Sequence, residues 1–77
     1  MPNKYFNWTF KDIESFLKVH KFSLNHIRGS HYYYTGSAEG KMRQVCIPRH
    51  GQTALRPRTM KGIIEQSGIN KEIWFKF

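Results

Sequence analysis

The chain has 77 residues, with 13 Lys and Arg against 5 Asp and Glu and a formal net charge of +8. That length is expected to hold one domain, residues 1–77, with a small core in which aromatic rings supply much of the buried area. The lone Cys46 excludes an internal disulfide, no apolar run approaches the ~18 residues of a membrane span, and Met1 to Phe10 lacks the apolar core of a signal peptide, so a cytoplasmic location is expected.

Taken in chain order, residues Pro2 to Trp8 read as an arm whose Tyr5, Phe6 and Trp8 form a lid. Thr9 and Asp12 have capping-box spacing, and Phe10, Ile13, Phe16 and Leu17 recur at helical period, which predicts a helix from about Phe10 to His20. Three extended segments follow. Phe22 to Arg28 is the first, ended by Gly29-Ser30. His31 to Thr35 is the second, its three consecutive tyrosines favouring strand. Gly36 to Gly40 reads as a turn, and Met42 to Pro48 as the third strand, with Val45 and Ile47 on one face and Gln44 and Cys46 on the other. Arg49 to Thr53 is a polar loop. Pro57 suits the start of a second helix with Met60, Ile63 and Ile64 as its apolar stripe, closed at Gly68. Ile73 and Trp74 sit in a short tail, available to dock. The order is α-β-β-β-α: an α+β fold with a three-stranded antiparallel sheet and two helices on one face, as in double-stranded-RNA-binding-like domains.

Charge position sharpens the functional reading. Between Ser15 and Ile64 the only acid is Glu39, among nine Lys and Arg residues. A field of one sign over most of a small domain favours a polyanionic partner, although charge also maintains solubility. Two-metal chemistry needs clustered carboxylates, and the acids here are few and scattered. Zinc needs spaced Cys and His ligands, which one cysteine and scattered histidines do not provide. No cofactor is expected.

Several ordered motifs carry a family resemblance: Ile27-Arg28-Gly29-Ser30-His31, Ile47-Pro48-Arg49-His50-Gly51, Leu55-Arg56-Pro57-Arg58-Thr59 and Ile63-Ile64-Glu65-Gln66-Ser67-Gly68-Ile69. With the leading helix, roughly Phe10 to Ile69 resembles the HicA family of toxins from bacterial toxin–antitoxin pairs. The resemblance implies a double-stranded-RNA-binding-like fold, a metal-independent endoribonuclease (an mRNA interferase), and a HicB-type antitoxin partner. It also implies that activity depends on His31, the histidine of the Gly-Ser-His motif. The chain departs from many members at two places. Tyr32 stands where they have a second polar or basic residue, and His20-Lys21 where they have Asn-Gly.

The chemistry suits these residues. RNA brings its own nucleophile, the 2′-hydroxyl, so cleavage needs a proton acceptor, a proton donor and cations for the phosphate. Histidine titrates near neutral pH and serves for proton transfer. Gly29 and Ser30 fit close approach of a phosphate, and equally fit an ordinary turn. His50 is a second acid/base or phosphate-contacting candidate, or a surface loop residue; His20 and His26 read as structural or incidental. Arg28, Arg43, Arg49, Arg56, Arg58 and Lys61 are candidates to track the RNA backbone. Tyr33, sharing strand parity with His31, is a candidate to stack a base, with Tyr32 and Tyr34 in the core. Two alternatives remain open at this point: a non-catalytic RNA-binding module on the same fold, and a DNA-binding regulator, for which no recognition helix stands out.

Overall fold

Thr9 caps the first helix. Its hydroxyl accepts from the Asp12 N–H, and the Asp12 carboxylate accepts from the Thr9 N–H at 3.0 Å, a reciprocal capping box that opens α1, Phe10–Val19. The computed structural model describes residues 7–49 and 53–76. After α1 come β1, Ser23–Arg28, β2, His31–Ala38, and β3, Lys41–Pro48, which form one antiparallel sheet in the order β1-β2-β3. Two further helices follow: α2, Pro57–Ser67, and the single-turn α3, Lys71–Phe75. The α+β, double-stranded-RNA-binding-like order expected from the sequence is therefore present, with Pro57 in the first turn of α2 and Gly68 in the left-handed conformation at its end.

The helix α1 ends in a Schellman arrangement. Lys21 donates to the Lys18 carbonyl, and Phe22 donates to the Leu17 carbonyl at 2.8 Å. This requires Lys21 to take φ +67°, the region glycine prefers. Phe22 is thereby swung under the sheet and buried.

One face of the sheet packs on the helices. Tyr34, Val45 and Ile47 are fully buried there, among Ile13, Phe16, Leu17, Met60 and Ile63. The expected parity of the three tyrosines holds: Tyr34 is core, Tyr32 packs against it, and Tyr33 points to the other face with His31. The expected turn at Gly36 to Gly40 is corrected. β2 and β3 continue to Ala38 and Lys41, and the chain reverses in two residues, Glu39 and Gly40, both with positive φ. Gly36 is a buried strand residue, because the Phe22 ring fills the space its side chain would need.

Both ends of the described chain close on the same aromatic cluster. Phe16 stacks on Trp74 at 3.7 Å, and Trp8 meets Trp74 edge-on at 5.4 Å. Trp8 is not a lid but a core residue with no exposed surface, and its carbonyl accepts from Leu55 N–H at 2.7 Å. Tyr5 and Phe6 lie outside the described residues. The buried Ser67 hydroxyl ties α2 to α3: it donates to the Ile64 carbonyl and accepts from the Ile69 N–H and the Trp74 indole.

Candidate functional site

The face of the sheet opposite the helices is organised in rows across the three strands. The first outward row is Arg28, His31 and Pro48, and the next is His26, Tyr33 and Cys46. Arg28 and His31 flank the two-residue turn Gly29-Ser30, where Gly29 takes φ +61° with nothing within 4 Å of the position a Cβ would occupy. All four residues of this hairpin end are exposed. The Ser30 carbonyl accepts from the Arg49 N–H at 2.8 Å, so the turn is fastened to the chain leaving β3.

What places His26 in the second row is a β-bulge. Between Leu24 and His26 the register with β2 shifts, leaving Asn25 as the extra residue. Leu24 pairs with inward Tyr34, His26 with outward Tyr33, and Arg28 with outward His31. In an unbroken strand Leu24, His26 and Arg28 would share a face. The bulge puts Leu24 and Ile27 on the helix-side parity, where both remain exposed, while two polar residues join His31 on the other face. The reading of His26 as structural or incidental did not include its place in this row, for which a signal was present: two apolar residues three apart in a short strand do not fit a period of two.

Contacts fix the second row. The rings of His26 and Tyr33 stack with centroids 4.4 Å apart and planes within 8°. On its other flank, hydrogen bonding to the Cys46 sulfur, with that group's charge and some burial, raises the Tyr33 hydroxyl above its ordinary range, while Arg28 opposes the shift.

The other candidate residues divide between several places. Arg49 follows inward parity: its guanidinium donates to the Tyr32 hydroxyl at 3.1 Å and lies over the Phe10 ring at 5.0 Å. It borders the His31 end of the sheet from the helix side. Arg43 also points to the helix side and away from His31; its Nε is buried without a hydrogen-bond partner and packs where a Cβ on Gly68 would lie. Arg56 precedes α2 and, with Pro48, Leu55 and Thr59, lines a depression of about 460 Å³ next to the His31 row. The first turn of α2 holds no acid, so its positive end adds to the charge of Arg56 and the exposed Arg58. Lys61 lies elsewhere, in a depression of about 730 Å³ with Ser37, Glu39 and Gly68 at the far end of the sheet. His50 lies outside the described residues.

Among the described residues no three His, Cys, Asp or Glu side chains come together as metal ligands, and no helix is long and apolar enough to cross a membrane. Gln66 entered the sequence analysis only as part of a motif; in the structure its side-chain carbonyl accepts from the Cys46 N–H at 3.0 Å along the outer edge of β3.

A family model described as the HicA toxin of bacterial toxin–antitoxin systems matches residues 10–69. No curated protein and no solved structure matches the chain significantly.

Proposed function

The chain belongs to the HicA family of bacterial toxins, and from that premise we propose that it is a metal-independent endoribonuclease that cleaves mRNA with His31 as its acid/base residue, and so halts translation and growth. One observation carries the reading. His31 is exposed at the end of the open sheet face, paired across the strands with Arg28 and joined to it by the exposed Gly29-Ser30 turn. An imidazole there can move a proton at the 2′-hydroxyl or at the leaving 5′-oxygen of a bound strand. Arg28 supplies a cation within the same row, where charge builds on the phosphate. Gly29 and Ser30 allow the backbone to approach a phosphate oxygen. Arg49, Arg56 and Arg58 extend the positive field around that end of the sheet and steer the strand toward it.

An antitoxin partner follows from the same family membership. A HicB-type protein is the expected inhibitor, and the domain's charge of +8 suits a partner that is acidic where it binds.

The test is cleavage of a single-stranded RNA by the purified protein in EDTA, beside a DNA strand of matching sequence. The expected result is cut RNA and intact DNA, with His31→Ala losing about 10²-fold or more in rate. Equal cleavage by that variant removes His31 from the chemistry. Salt-sensitive binding without cleavage by the wild type makes the chain a non-catalytic RNA-binding module.

A further inference from the structure

Beside the His31 row stands a feature that proton transfer does not use. His26 and Tyr33 form a flat pair of rings on the open face, placed opposite each other by the bulge at Asn25, with Cys46 paired to Tyr33 on the next strand. His26 is exposed on β1, an edge strand, so among the described residues no further strand lies beside the ring face turned away from Tyr33. Tyr33 is two residues from His31 on the same strand, a separation of about 7 Å, and His26 lies diagonal to His31 at a similar distance. A single nucleotide spans that gap. The surroundings suit its backbone: Arg28 lies in the next row, and no carboxylate occurs in Ser23 to Arg28, His31 to Thr35 or Gln44 to Pro48.

We propose that the His26–Tyr33 pair is a stacking platform for one unpaired nucleobase, seating the nucleotide next to the phosphodiester at His31. The proposal rests on RNA being the substrate, as argued above, and names which form of RNA the site takes. Every base has a π-face, so a stacked ring pair accepts any of them. In a duplex those faces are already covered by neighbouring pairs, and an A-form helix keeps its bases from reaching a ring on a sheet. The platform therefore selects single-stranded RNA, despite a fold associated with double-stranded RNA. His26 acts here through its ring face, as a binding and specificity residue.

The experiment uses His31→Ala protein, so that the strand stays intact, and a short RNA carrying 2-aminopurine, presented single-stranded and as a duplex. Stacking is expected to quench the fluorescence of the single strand and not that of the duplex. His26→Ala and Tyr33→Ala, each added to that background, are expected to weaken single-strand binding about tenfold and to abolish the quench. His26→Phe keeps the ring without its nitrogens and is expected to restore both. His26 is exposed and Tyr33 half-buried, and circular dichroism of each variant verifies the fold. Unchanged quench and affinity in His26→Ala overturn the platform. A His26→Phe variant as impaired as His26→Ala also overturns it, assigning the imidazole nitrogens instead. Cleavage by the wild type is scored separately. Its absence with the quench intact overturns the nuclease reading and supports the platform, whereas cleavage with no effect at His26 or Tyr33 overturns the platform alone. If neither RNA form binds, both readings fall.

Discussion

The ring of Phe22 lies directly against the backbone of Gly36: a Cβ on that glycine would come within 2.6 Å of the Phe22 Cγ. Phe22 ends the Schellman turn and Gly36 sits in the middle of a strand, so this contact sets how closely the end of α1 approaches the sheet. Both residues are buried and the ring has other core residues around it. The Gly36→Ala variant is expected to lose about 1–3 kcal/mol of stability by overpacking. Urea unfolding of the two proteins measures it, and an unchanged midpoint would mean that the ring yields freely.

Lys21 offers the opposite effect. Its φ of +67° costs an L-residue about 1–2 kcal/mol, part of which glycine gives back through its freer unfolded chain. Lys21→Gly is therefore expected to raise stability by about 0.5–1 kcal/mol, seen as a higher urea midpoint at unchanged slope. The family resemblance points the same way, since many members place Asn-Gly where this chain has His20-Lys21.

The Tyr34 ring is fully buried, and its hydroxyl donates to the Glu14 carboxylate at 2.5 Å. Burial first, then that bond and the charge of Glu14, push the hydroxyl well above the usual tyrosine range, with Arg49 pulling the other way. The folded protein thus holds this proton more tightly than the unfolded chain, in which a tyrosine titrates near ~10. The resulting stability is fully present below that pH and is lost as pH rises through and beyond it. Wild type is expected to exceed Tyr34→Phe by about 1 kcal/mol at neutral pH. That margin is expected to shrink above pH ~10 in parallel urea titrations. A constant margin would show that the Tyr34–Glu14 pair does not set the alkaline limit.

Regular periods were legible in the sequence and tertiary substitutes for them were not. Thr9 and Asp12, the stripe of α1, the alternation of Tyr32, Tyr33 and Tyr34, and the Pro57 and Gly68 ends of α2 all follow from local rules, and each is where those rules put it. Gly36 defeated them because a glycine beside Ser37 and Gly40 reads as a turn, while its real partner, Phe22, is distant in sequence. Arg43 was grouped with the basic face, yet its parity with Val45 and Ile47 turns it toward α2 and Gly68. At the candidate site, His31 and Tyr33 were visible from motif and parity. His26 was not, because one bulged residue reversed the face on which β1 presents it.

The Gln66 amide also bears on how the protein behaves in a crowd. Two of the three strands here are edges, and an unguarded edge is a template on which another chain's strand can grow. On β3 the Gln66 carbonyl occupies the Cys46 donor, and on β1 the bulge at Asn25 breaks the regular ladder. With like charge on every copy, these two devices set the sheet against fibre formation at high concentration. The bulge that turns His26 toward His31 thus also helps to keep the protein dispersed.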